Sequence, residues 1–87
     1  MSGYQPLFEQ TSVPTDRPRE VLDVRTLGPP QPLARTLERL AASDDDLVLI
    51  QRNDRAPQFL YPKLEDRGYT YETVETEMEV VTVIWRE

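Results

Sequence analysis

The residues best suited to chemistry in this sequence are carboxylates and arginines, because histidine and cysteine are both absent. Without cysteine there is no thiol nucleophile, no thiolate metal ligand and no disulfide. Without histidine there is no Ser-His or Cys-His pair and no side chain whose ordinary pKa lies near neutrality. These absences exclude most enzyme mechanisms, so we expect a protein that is not an enzyme and uses no cofactor.

The carboxylates offer two alternatives to this expectation. Asp23 and Asp54 would suffice as an acid-base pair only if the fold held them at a defined separation around a substrate. The aspartates at positions 44–46 stand in one run. Because they lack the spaced oxygens and the glycine of a calcium loop, they indicate a solvated acidic turn and no metal site.

The elements that position these residues begin with a strand, which is followed by a proline-rich elbow at residues 28–32. Leu22 and Val24 alternate with Asp23 and Arg25, which predicts a half-buried strand over residues 21–25. Proline lacks the amide that a sheet ladder needs, so the strand ends at the elbow.

An amphipathic helix and a buried strand follow the elbow. Apolar residues at helical spacing predict a helix that starts at Pro32 and ends near Ala42 or Ser43. The unbroken apolar run Leu47–Ile50 is typical of a strand buried on both faces, and therefore of a central strand. Strand, helix and strand in this order imply a right-handed crossover between parallel strands.

A turn at residues 53–56 leads to a second helix. Asp54 is the expected cap of that helix. Because Pro62 would remove a hydrogen bond from a helix that began much earlier, the regular helix is predicted from about Tyr61. Gly68 is a suitable left-handed stop.

Two further segments, at residues 69–75 and 79–86, have the composition of strands. The chain is therefore predicted as an α+β two-layer sandwich of order βαβαββ, with a four-stranded mixed sheet and two helices on one face. We expect the other face of the sheet to be open, which leaves both a monomer and a homodimer through that face as alternatives. Its apolar set is either Val80 and Ile84 or Val81, Val83 and Trp85.

The length of 87 residues allows one domain. Residues 1–19 are proline-containing and have no period, which predicts a flexible N-terminal lead before a domain at 20–87. The alternative is that the lead docks on the domain or on a partner through its larger apolar side chains, Tyr4, Leu7 and Phe8.

The charge balance indicates which classes of partner are disfavoured. With 16 acidic and 10 basic residues the net charge is −6, which disfavours nucleic acid and anionic membranes. Every basic residue except Lys63 is an arginine, and an acidic, lysine-poor composition resembles proteins of salt-loving archaea. No apolar run approaches the length that spans a bilayer, so a cytoplasmic location is expected.

The elbow resembles that of the TusA and SirA family of small sulfur carriers. Those carriers have a Leu-Asp-x-x-Gly-Leu run before a Cys-Pro-x-Pro elbow, and residues 22–32 follow this frame as LDVRTLGPPQP. Pro30 and Pro32 match the two prolines of the family, whereas Pro29 stands where the carriers have cysteine. The resemblance implies the fold of a sulfur carrier without its nucleophile.

A closer resemblance is to an uncharacterised prokaryotic domain family related to these carriers. Three of its motifs correspond in order to residues 22–25, 53–57 and 64–69, and the resemblance covers residues 20–87. Asn53 stands where many relatives have histidine, and Arg55 stands where they have proline. The resemblance implies a fold, because the biochemical role of that family is not established.

The candidate site combines the elbow with the turn that follows the central strand. Amides at a helix start attract anions, but three of them are deleted here by proline, which favours a stiff, exposed loop. The turn follows the carboxyl end of a parallel strand, where open α/β sheets bind ligands, although turn and capping roles also explain its residues. The candidate residues are Arg25, Gly28, Pro29, Pro30, Gln31, Asn53, Asp54 and Arg55.

We therefore expect a non-enzymatic accessory or protein-interaction module that resembles a sulfur-carrier domain without its cysteine. Its partner would be a protein that the sequence does not identify. The alternative is a domain that binds a small anion or another small molecule at the elbow, through Arg25, Arg55 and the helix start.

Overall fold

The computed structural model describes residues 11–28 and 31–86. Its elements follow the predicted α+β order βαβαββ, and they are β1 (Arg19–Asp23), α1 (Gln31–Ala41), β2 (Val48–Asn53), α2 (Leu60–Asp66), β3 (Thr70–Glu75) and β4 (Val80–Trp85). Within the described ranges, neither helix has the length and apolar character needed to cross a membrane.

The four strands form one mixed sheet in the order β1-β2-β4-β3. β1 runs parallel to β2, whereas β4 lies antiparallel to both β2 and β3. Every residue of β4 is buried, and so is every residue of β2 except Arg52. The prediction of a central strand from the apolar run that begins at Leu47 is therefore confirmed.

Both helices pack on one face of the sheet, as predicted. Leu40 of α1 and the buried leucines of α2, Leu60 and Leu64, form a cluster with Leu49 and Ile84 from the two central strands. Strand alternation places Leu49 and Ile84 directly opposite each other on this face. The helix-side core is therefore built from the inward residues of the central strands and one stripe of each helix.

The opposite face of the sheet is also buried over the two central strands, so the expectation of an open face is wrong there, although Val21 of β1 remains 45% exposed on this face. Its side chains form a second cluster together with Val13 from the N-terminal segment. The sheet residues of that cluster are Val48, Ile50, Val81, Val83 and Trp85. Val81, Val83 and Trp85, one of the two sets considered for a dimer contact, are therefore already buried within a single chain.

The N-terminal segment before β1 is held by polar contacts as well. The backbone amide and the hydroxyl of Ser12 donate hydrogen bonds to the Glu72 carboxylate, at 2.8 and 2.7 Å. The Arg17 guanidinium donates to the backbone oxygen of Arg86, next to the end of β4. These bonds tie the segment to both strands of the hairpin.

The predicted lead over residues 1–19 thus includes a part, residues 11–18, that contacts the sheet. The first ten residues, which include those considered for docking, lie outside the described part of the chain. β1 begins at Arg19, earlier than predicted, because Arg19 already pairs with Val48 in the parallel ladder.

The second helix differs from the prediction at its start. Asp54 does not cap it, because a turn at residues 58–59 intervenes and the cap residue is Phe59, which makes no side-chain capping bond. Pro62 lies in the first turn of α2, where a backbone amide has no partner within the helix. Gly68, with φ of 78°, follows the helix in the left-handed conformation that was predicted.

The turn between β3 and β4 closes without glycine. The Thr76 hydroxyl accepts hydrogen bonds from the amides of Met78 and Glu79, at 3.3 and 3.1 Å. The Thr76 amide also donates to the Glu79 carbonyl, at 2.8 Å. The Thr76 hydroxyl therefore stabilises a hairpin turn that contains no Asn-Gly motif to predict it.

The packing of Val13 makes a testable contribution to stability. Replacing Val13 with alanine removes two buried methyl groups, so we expect V13A to lower the free energy of unfolding by about 2 kcal/mol. Urea denaturation of V13A and of the matched control T15A measures the effect, because Thr15 is exposed in the same segment. Equal stability of the two variants would contradict the docking of this segment.

Candidate functional site

A groove of about 860 Å³ lies at the sheet edge where β1 and β2 end. We call it the elbow groove. It is lined by three parts of the chain: the elbow with the start of α1 (Leu27, Pro32, Leu33), the loop from β2 into α2 (residues 53–60), and the edge of the hairpin (Glu75, Thr76, Val80).

Strand order explains why these three parts meet. β1 and β2 are parallel, so the elbow after β1 and the loop after β2 leave the sheet at the same edge. β4 enters the sheet there, because Val80 is opposite both Asn53 of β2 and Glu75 of β3. The groove is therefore a consequence of one parallel and two antiparallel pairings.

The walls of the elbow groove are largely apolar. Leu27, Leu33 and Pro57 contribute to them, and so does Phe59, which is 84% exposed. Met78, in the hairpin turn at the same sheet edge, is 87% exposed. Exposed apolar side chains gathered around a groove are typical of a docking surface.

The floor of the groove contains a buried amide. Asn53 is only 4% exposed; its Nδ2 donates to Gln51 Oε1 at 3.3 Å, and its Oδ1 accepts the Asp54 amide at 2.7 Å. Gln51 Nε2 in turn donates to the Thr36 hydroxyl at 2.8 Å, and that hydroxyl donates to the Pro32 carbonyl, also at 2.8 Å. A chain of hydrogen bonds thus fixes the floor to the start of α1.

The two arginines predicted for the site are each paired with a neighbouring carboxylate. Arg25 Nε and Nη2 donate to the two oxygens of Asp23, both at 2.9 Å, and Arg55 Nε donates to Asp54 at 3.1 Å. The bonds from Arg25 lower the pKa of Asp23 to about 2, and the nearby charge of Arg52 acts in the same direction. Positive charge at this edge is therefore largely compensated.

The structure brings together only part of the predicted site. The predicted residues that line the groove are Asn53, Asp54 and Arg55. Three other predicted residues that the structure describes do not line the groove, namely Arg25, Gly28 and Gln31. Gly28 is exposed, and its carbonyl accepts the Gln31 amide at 3.0 Å. Pro29 and Pro30 lie outside the described residues.

Sequence reasoning missed other residues of the groove, above all Leu27, Phe59 and Glu75. Leu27 and Glu75 lie beside predicted strand ends, so the expected topology itself could have suggested them. For Phe59 there was no such signal, because its type alone favours the core.

A smaller cleft of about 440 Å³ lies at the opposite edge of the sheet, between Arg17, Arg86 and two aspartates, Asp45 and Asp46. Arg86 pairs with Asp45 at 3.6 Å and lies over the ring of Tyr69, at 4.3 Å from its centroid. Across residues 11–28 and 31–86, no three acidic side chains are grouped as a metal site would require.

Comparison with known proteins assigns most of the chain to one family model. The model of a family described as an uncharacterized conserved protein, DUF2249, matches residues 21–86. No match was found among curated proteins, and none among solved structures. The family match confirms the expected similarity to an uncharacterised domain family.

The pairing of Asp23 with Arg25 makes stability depend on pH. Because the folded-state pKa of Asp23 is lowered from 3.8 to about 2, its stabilising effect is complete above pH 3.8 and is lost as the pH falls toward 2. We expect R25Q to raise this pKa toward 3.8, as measured from the carboxyl ¹³C shift of Asp23. The control R35Q replaces an arginine on the exposed surface of α1 and should leave the pKa of Asp23 unchanged. An equal rise of this pKa in R35Q would contradict the assignment of the shift to Arg25.

The hydrogen bonds below the groove can be tested at Thr36. Thr36→Val removes the acceptor of the Gln51 side-chain amide, so we expect a loss of about 2 kcal/mol in the free energy of unfolding. The Gln51 amide protons should also exchange faster with solvent. Thr36→Ser keeps the hydroxyl and should retain slow exchange; fast exchange in both variants would show that the hydroxyl does not hold Gln51.

Proposed function

The chain belongs to the uncharacterized conserved protein family DUF2249, and we propose that it is a non-enzymatic protein-interaction module that docks its partner on the elbow groove. The observation that carries this proposal is the apolar groove of about 860 Å³ with the exposed Phe59 beside it. Aromatic and methionine side chains are enriched at interfaces, and this edge presents both Phe59 and Met78.

Rigid surroundings support this role. The groove floor at Asn53 is hydrogen-bonded through Gln51 and Thr36 to α1, so the walls are held before a partner arrives. Pre-organisation of this kind reduces the entropic cost of binding. Prolines at positions 32 and 57 restrict the walls further.

We further propose that the module is related to sulfur carriers and has lost the carrier chemistry. The frame of residues 22–32 supports this relation, with Pro29 in place of the cysteine. In place of a thiol, the elbow contributes Leu27 and Pro32 to the groove wall. The acidic, arginine-using composition supports an origin in a salt-loving archaeon.

Binding of a small anion at the elbow is less well supported. An anion would have to compete with Asp23 for Arg25 and with Asp54 for Arg55, since each guanidinium already donates to its neighbour. Apolar contacts in the groove require no such exchange. Protein docking is therefore the function that this geometry favours.

Site-specific crosslinking tests the proposal. A photo-crosslinking amino acid replaces either Gln58, which is exposed at the groove, or Asp44, which is exposed at the opposite sheet edge. In lysate of the source organism at high salt, we expect one adduct of defined mass from position 58 and none from position 44. Adding F59S to the position-58 protein should abolish the adduct, because the exposed anchor is lost.

The control is the fold of the F59S variant. Because Phe59 is largely exposed, its removal should leave the thermal midpoint almost unchanged. Adducts that form equally from both positions, or that survive F59S, would refute docking at the groove. Titration with phosphate that shifts the resonances of Arg25 and Arg55 specifically would support the anion alternative instead.

A further inference from the structure

The charges around the elbow groove are unevenly compensated. Its charged lining residues are Asp54, Arg55 and Glu75. Arg55 donates to Asp54 at 3.1 Å, so these two charges offset each other on one wall. Among the described residues, the Glu75 side chain on the other wall has no ion-pair or hydrogen-bond partner. The groove therefore presents one uncompensated carboxylate.

Glu75 is placed to act together with the apolar lining. It is the last residue of β3 and is paired with Val80, which in turn is paired with Asn53 on the groove floor. Strand alternation puts these three side chains on the same face of the sheet. Glu77, exposed in the adjoining turn, adds a second carboxylate just beyond the groove.

We infer that the partner docks through a segment in which an aromatic or aliphatic side chain inserts into the elbow groove and an adjacent lysine or arginine pairs with Glu75. This inference rests on the proposed function and specifies the chemistry of the partner. Near apolar walls an ion pair is less screened than in open water, so the carboxylate selects for a cation beside the apolar anchor.

Charge complementarity also argues against a second copy of this chain as the occupant. The chain carries a net charge of −6, so at low salt two copies repel each other on approach. The arginines near this edge already contact acidic residues of their own chain; they are Arg25, Arg52 and Arg55. A basic segment of another protein is not repelled by this negative charge.

A displayed library of random peptides, selected on the intact protein in 0.1 M salt, provides the probe. We expect selected peptides to place Phe, Trp or Leu next to Lys or Arg, and to shift the amide resonances of Ala56 and Leu60. For the best synthetic peptide, E75K should weaken binding about tenfold, because it replaces attraction with repulsion. E38K makes the same charge change on exposed α1 surface away from the groove and should alter the affinity little.

Each outcome decides between the two proposals. Basic, apolar peptides that map to the groove and are weakened by E75K but not by E38K support the inference. Peptides that map to the groove without a basic preference, or that E75K and E38K weaken equally, overturn it and leave docking at the groove intact. If no selected peptide shifts the resonances of Ala56 and Leu60, both the inference and the proposed function fail.

Discussion

A sheet whose central strands bury side chains on both faces needs cover on both, and two helices on one side supply only half of it. Here β2 and β4 impose that requirement, since apolar side chains of both strands are buried in each of two clusters. On the second face Val13 joins the cluster, and the bonds from Ser12 and Arg17 hold its segment in place. The segment before β1 is therefore part of the architecture. This arrangement lets a small chain without disulfides bury side chains on both faces of its sheet.

The same strand arrangement determines what is left at the surface. At the edge where β1 and β2 end, the polar groups that first attract attention are already satisfied: Asn53 by Gln51 and the following amide, Arg25 by Asp23. The groups left without partners among the described residues are of another kind, and they include the apolar walls, the exposed Phe59 and the Glu75 carboxylate. Because these polar groups are satisfied within the chain, this edge leaves mainly apolar surface for contacts, which is consistent with the proposed docking role.

The features of this structure that could be predicted are those that local sequence patterns determine. Strand alternation and an unbroken apolar run are local, and they gave the order of elements and the central strand correctly. Asn53 was placed at the site because it follows a parallel strand. Val13 was not predicted to be buried, since its segment has no period and the bond from Ser12 beside it spans 60 residues. Phe59 was missed because its exposure depends on tertiary context, which residue type does not reveal.

The position of β4 has a consequence for how the chain is made. β4 pairs with both β2 and β3, and the sheet order places no other strand between them. A nascent chain that has left the ribosome only as far as β3 therefore lacks the strand that joins the β1-β2 pair to β3, and two strands alone are marginally stable. The bond from Arg17 to Arg86 must also wait, because it joins residues 69 positions apart. Because β4 is synthesised after the other three strands, the sheet cannot be completed until β4 has also left the ribosome.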